Sequence, residues 1–249
     1  MKNPLISLLL VTIIGSSTLL YAETPIPEQS AVLQQPGMMA PPHIPAELPD
    51  RHTFRVSPVE QVSPGLYRVG DILINKSEKT VSFPAEVNMD KGLLEYVLVR
   101  TGGKTHESLL RTRIEPYNLQ VACLLLGIEG TSVPLAYQGA PETPKGDPVA
   151  IILNLQTGAP SRPEQWMVKT VDGTNHDLRN MSWVFTGSLV SNGRFAAQAE
   201  GSIIAVFHDP AAMIDNASPG GESDRIWFVN EKSVPPVGTP VTITIKSLK

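Results

Sequence analysis

Apolar residues along this chain come in short runs broken by glycine, proline and small polar residues, which predicts many strands and turns. Residues 66–74 (LYRVGDILI) and 80–83 form an early strand pair, with a polar turn at 75–79. Residues 92–99 (GLLEYVLV) make a strongly apolar strand that stops before Gly102 and Gly103. The run 149–155 (VAIILNL) reads as a central strand, and 165–169 and 182–185 as shorter ones. Residues 195–207 predict a second strand pair, bent near Glu200 and Gly201. Strands at 225–229 and 240–245 close the chain. The last, PVTITI, alternates apolar and polar, the mark of a half-exposed strand. Asn192-Gly193 predicts a tight hairpin turn.

One segment carries a helical signature. Pro116 suits a first turn, LQVACLLLG follows from Leu119, and Gly127 terminates it. Its apolar residues occupy nearly the whole circumference, which predicts a buried helix with Cys123 as a core thiol. A second, shorter helix is expected at 210–214. The expected fold class is therefore α+β, mostly β: mainly antiparallel sheet with one buried helix.

The two ends of the chain differ in kind. Residues 1–22 combine the Lys2 head, an apolar stretch and Ala22 before a cleavage point, which reads as a signal peptide. Gly15-Ser16-Ser17 interrupts that stretch, so it falls short of a membrane anchor, and no span is expected after cleavage. Residues 23–52 are dense in proline and read as an extended linker. The folded domain is expected over 53–249, in the periplasm or outside the cell. With 249 residues and a net charge of -4, the chain lacks the basic field that attracts nucleic acid. Its single cysteine excludes an internal disulfide and an iron–sulfur cluster.

The densest candidate chemistry lies in TGGKTHESLL, residues 101–110. Gly103-Lys104-Thr105 looks like the end of a phosphate loop. The glycine that such a loop needs five residues earlier is Leu98, so nucleotide binding is excluded on spacing. His106, Glu107 and Ser108 place an imidazole, a carboxylate and a hydroxyl side by side. A zinc or copper site would need His106 and His208 to meet with Glu107 or Asp209. Ser108, two residues past His106, could share its face and serve as a nucleophile; Ser188 lacks the flanking glycines of a nucleophile elbow. The segment 172–177 (DGTNHD) offers oxygen ligands without the order of a calcium loop and reads as a turn. Trp166, Trp183 and Trp227 read as core or core-edge residues, with Trp183 a contact residue if that edge is a binding face.

The same motifs carry a resemblance. GLLEYVLVRTGGKTHESLL, the ACLLLG helix, WVFTGS at 183–188, EGSIIAVFHDP at 200–210 and the closing VPPVGTPVTITI resemble the YdjY domain family, over about 62–245. Some members of that family carry a ferredoxin-like iron–sulfur segment, which this chain lacks. The resemblance implies a domain without fixing an activity. The leading expectation is an exported, non-catalytic binding domain for an envelope protein partner or a small ligand. Its contact residues would come from Lys104, His106, Glu107, Ser108, Trp183, Ser188, His208 and Asp209. The competing expectation is a metal-dependent or hydrolytic enzyme centred on His106, Glu107 and Ser108.

Overall fold

The computed structural model describes residues 57–178 and 180–249; the expected signal peptide (1–22) and linker (23–52) lie outside the described residues. In chain order the elements are β1 (Val59–Ser63), β2 (Leu66–Val69), β3 (Ile72–Asn75), β4 (Thr80–Val87), β5 (Tyr96–Arg100), β6 (Ser108–Thr112), α1 (Pro116–Leu125) and β7 (Asp147–Asn154). Then follow β8 (Met167–Val171), β9 (Thr174–Asp177), β10 (Trp183–Phe185), β11 (Val190–Ser191), β12 (Arg194–Phe195), α2 (Ala196–Glu200), β13 (Ser202–Ala205), β14 (Ile214–Asn216), β15 (Trp227–Val229) and β16 (Pro240–Ser247).

Strands β4, β16, β7, β10, β14, β13, β5 and β6 pair in that order, and β6 pairs back onto β4, closing an eight-stranded barrel. The expected β-rich class holds, but the mainly antiparallel sheet does not describe the barrel fully. β5 runs parallel to β6, and β13 runs parallel to β14. Strands β3, β2 and β1 extend the sheet from β4, and β15-β8-β9 form a separate small sheet.

The closing strand supplies the barrel's centre. β16 pairs with β4 on one side and β7 on the other, and its side chains alternate in burial as PVTITI predicted. Val241, Ile243 and Ile245 point into the core with Phe83, Ile151 and Leu153. Full burial of each such side chain contributes roughly 1.5–3 kcal/mol. Trp166, Trp183 and Trp227 are also buried there. The turns follow their residues: Asn192-Gly193 and Asp172-Gly173 both adopt the left-handed pairs that two-residue hairpins need.

Four local expectations are corrected. The run 66–74 is a hairpin, not one strand, because Gly70 takes a positive φ of 59° between β2 and β3. Within 195–207, AAQAE forms α2 instead of extending; alanine favours helix, and Gly201 ends it in the left-handed region at φ 76°. Residues 210–214 form no helix. The Asp209 carboxylate accepts from Ala211 N at 2.9 Å, a local turn, and Ile214 then pairs in parallel with Ile204. Finally, α1 is not buried all round: Leu119, Ala122 and Cys123 face the core while Leu124 is 53% exposed.

Candidate functional site

The two parallel pairings determine where the polar chemistry gathers. A strand that lies parallel to its predecessor requires the chain to return to the starting end. β5 has five residues, roughly 17 Å, and residues 101–107 alone make the return to β6. That brings Lys104 back beside Tyr96, the first residue of β5. Residues 206–213 likewise return from β13 to β14 and carry Asp209 to the same place. Ala205 pairs with Tyr96 on one side and Asp215 on the other, so the three occupy one cross-strand row. The register of β13 against β5 shifts here, and the N–H groups of Val206 and Phe207 both donate to Glu95 O. Tyr96, Val99, Ala205 and Ala212 make a small apolar cluster apart from the main core.

Gly103 explains the second glycine of TGGK. A Cβ at this position would lie 2.9 Å from Glu200 O and 3.1 Å from Arg100 O. The loop therefore presses backbone against the Glu200-Gly201 turn, and Lys104 follows directly over it.

Lys104 Nζ stands 2.7 Å from Tyr96 Oη, and Tyr96 donates to Asp209 Oδ2 at 2.7 Å. The ammonium lies 3.7 Å from Glu200 Oε2 and 3.8 Å from Asp209 Oδ2, ion-pair range but beyond a direct hydrogen bond. It also sits 5.1 Å from the centre of the Tyr96 ring. Asp215 accepts from Asp209 N at 3.0 Å and Asn216 N at 2.9 Å. Gln138 donates to Glu95 Oε2 at 3.1 Å, and Gly139 N ties that loop to His208 O at 2.8 Å. Glu200 Oε1 is buried without a hydrogen-bond partner of its own, while the Ser202 hydroxyl lies against the Tyr96 phenol and hydrogen-bonds it.

Acids outnumber bases here, and burial sets their protonation. Desolvation pushes Glu200 up to about 7, with the Asp209 charge adding and Lys104 opposing. Desolvation also raises Glu95 to about 7, reinforced by Glu107. Asp215 is held well above the usual carboxylate range by complete burial. Burial and the neighbouring Asp209 raise the Tyr96 phenol, so it stays a hydrogen-bond donor. Groups poised near neutrality by burial and specific charges are characteristic of functional sites.

The sequence candidates divide. Lys104 and Asp209 meet in this network, and Glu107 acts on it through Glu95. His106 projects outward, 78% exposed, with Nε2 3.4 Å from Glu107 Oε2. His208 is buried, and its Nδ1 and Nε2 stand 2.7 Å from Ala140 O and 2.9 Å from Asn216 O, so backbone carbonyls occupy both ring nitrogens. Among the described residues no three His, Cys, Asp or Glu side chains converge to hold a metal ion. Ser108 is fully buried and donates to Leu110 O at 2.7 Å, away from the imidazole it was paired with in sequence. Ser188 donates to Ala211 O at 2.6 Å and accepts from Ala197 N at 3.1 Å, stitching the 206–213 loop to α2. Trp183 is buried and donates to Glu164 Oε1 at 3.0 Å.

Sequence reasoning missed Glu95, Tyr96, Gln138, Glu200, Ser202 and Asp215. A signal existed for one of them, Asp215. Asp209 and Asp215 interrupt a run otherwise fit for a core (IIAVFHDPAAMIDN), and buried acids in such a run need a reason. Glu95, Tyr96, Glu200 and Ser202 become neighbours only through the parallel crossovers, and Gln138 reaches them from the loop between α1 and β7.

The family model of the YdjY domain matches residues 72–246 of the chain. No curated protein and no solved structure matches it. Among the described residues no helix is long and apolar enough to cross a membrane.

Proposed function

We propose that this chain, a member of the YdjY domain family, is an exported binding domain whose ligand site is the polar network beneath Lys104. The observation that carries the reading is the buried, incompletely satisfied ion cluster of Tyr96, Lys104, Glu200 and Asp209. Burying several carboxylates around one ammonium costs more than it returns unless something further is gained. A barrel with an apolar core of this size has no structural need for it. Ligand or partner contact at that point is the gain.

Binding is favoured over hydrolysis because neither serine singled out by sequence has a base within reach. Ser108 and Ser188 both spend their hydroxyls on backbone carbonyls. His106 then belongs to the exposed rim of the site and not to a catalytic triad. One observation supports an enzyme as a second reading: Glu95 and Glu200 both titrate near 7, the range of a general acid or base. In that reading the chemistry moves from the His106-Glu107-Ser108 trio to these two carboxyls.

Site-specific photocrosslinking in native cells tests the binding reading. A photoreactive residue at position 106, on the rim, is compared with one at position 176 on the exposed strand β9. The reading requires a discrete adduct from position 106 that disappears on Glu200→Gln, and none of that mass from position 176. Equal adducts from both positions, or none from 106, would sink it.

A further inference from the structure

We infer that a cleft on the outer face of β7, lined by the buried carboxylate of Glu164, binds an uncharged polyhydroxylated ligand of the sugar class. It is a second site, built from residues that the Lys104 network does not use.

The first observation is a cavity of about 710 Å³, within the size range of small-molecule sites. Burial alternates along β7: Ile151 and Leu153 belong to the core, and Ile152 between them turns to the outer face. There it lines the cavity together with Leu178. A second wall is held in place by backbone. Leu153 and Ser161 exchange both of their hydrogen bonds at 2.8 Å, and Gln165 Oε1 accepts from Arg162 N at 2.8 Å across the 3-10 turn Pro163–Gln165. The cleft is therefore preformed.

The second observation is a carboxylate only half used. Glu164 lines the same cavity and is 3% exposed. Its Oε1 accepts from Trp183 Nε1 at 3.0 Å, and its Oε2 has no hydrogen-bond partner. Burying a carboxylate costs more desolvation than satisfying an indole requires. Trp227, also buried, meets the same need with the backbone carbonyl of Gly220 at 3.1 Å. The Glu164 carboxylate therefore serves something besides the tryptophan, and its unpaired oxygen calls for a donor.

The lining selects the chemistry of that donor. Arg162 puts a positive charge on the wall that balances Glu164, so the site as a whole favours neither a cation nor an anion. Ser161, Gln165 and Asn180 add neutral donors and acceptors. Sugar hydroxyls both donate and accept, which suits Glu164 Oε2 and these three side chains at once. The C–H face of a pyranose ring suits Ile152 and Leu178. A zwitterion, with one charge for Glu164 and one for Arg162, is the competing chemistry and enters the test as a probe. A free monosaccharide and the end of a glycan chain share the proposed chemistry, and the arms of the test separate them.

The test is an NMR titration of the whole protein, read at the Trp183 indole N–H and the amides of Ser161, Gln165 and Asn180. The probes are glucose, galactose, N-acetylglucosamine and its linear trimer, with glycine and propylamine as charged controls. The expected result is saturable shifts with at least one sugar and none with either control. In Glu164→Gln the Trp183 N–H still claims the side-chain oxygen, which leaves an amide NH2 where the ligand needs an acceptor. Sugar binding should weaken by about tenfold or more. Asn180→Ala, at an exposed position, leaves the core untouched and should weaken binding severalfold. Tighter binding of the trimer than of the monomer assigns a glycan chain, and equal binding a free sugar. Silence from every sugar, stronger shifts with either control, or sugar affinity unchanged in both variants would overturn the assignment. Photocrosslinking from position 106 reads the Lys104 network independently of this result.

Discussion

Replacing Glu200 by glutamine should change how stability depends on pH, and the direction can be worked from the site. Glu200 titrates at about 7 in the folded protein, raised from 4.5 chiefly by burial. A folded value above the unfolded one means that the native state holds the proton more tightly. Below about pH 4.5 both states are protonated, and this group's favourable contribution is complete. As pH rises from there through about 7, the unfolded chain ionises first and stability is lost. Above about 7 the penalty is fully present. A shift of roughly 2.5 units corresponds to about 3 kcal/mol, each unit being about 1.4 kcal/mol. The carboxyl lies beneath the partly exposed Lys104, so solvent screening reduces this figure and about 3 kcal/mol is its upper bound. Glutamine keeps the shape and cannot ionise. The variant should therefore match wild type near pH 4.5 and exceed it by up to about 3 kcal/mol near pH 8. Urea unfolding of both proteins across that range measures the difference, because titrating groups not coupled to Glu200 cancel. A stability difference that stays constant with pH would show that Glu200 ionises alike in the folded and unfolded chains.

Three further outcomes follow from single positions. Gly103→Ala places a Cβ 2.9 Å from Glu200 O, so it should cost about 1–3 kcal/mol in urea unfolding and shift the amide of Lys104; an unchanged midpoint would show that the loop is not pressed there. Cys123 is fully buried with its thiol pushed up to about 12, so a thiol reagent near pH 8 should label it only as fast as the protein unfolds. Prompt stoichiometric labelling of the native protein would contradict that placement. Ser188 sits at φ 59° and bonds both Ala211 O and Ala197 N, so Ser188→Val should destabilise by about 2 kcal/mol or more, read by thermal unfolding, with little loss expected only if that stitch is idle.

Local rules carried the sequence reading a long way. PVTITI became the alternating strand beside β4 and β7, and Asn192-Gly193 became a hairpin turn, because period and turn chemistry act over a few residues. The barrel's closure was not legible. It depends on β6 reaching β4 and on two parallel pairings made through short return loops, relations that no local pattern encodes. The site shows the same division. Lys104 stood out beside glycine in a loop that looks like the end of a phosphate loop, and Asp209 as a carboxylate next to His208. Tyr96 was hidden within the apolar stretch GLLEYVLV, and Glu200 looked like a bend in a strand until α2 placed it under Lys104. His106, Glu107 and Ser108 misled for the opposite reason. Adjacent residues in a tight turn leading into a strand diverge, which sends His106 to solvent and Ser108 into the interior.

If the network beneath Lys104 is a ligand site, the domain isolated from its own cells should carry its ligand, and native mass spectrometry of wild type and Glu200→Gln side by side reads this out. A discrete bound species on wild type that is lost in Glu200→Gln is the expected result. Wild type without any bound species, or the same species held equally by both proteins, would show that the network holds no ligand.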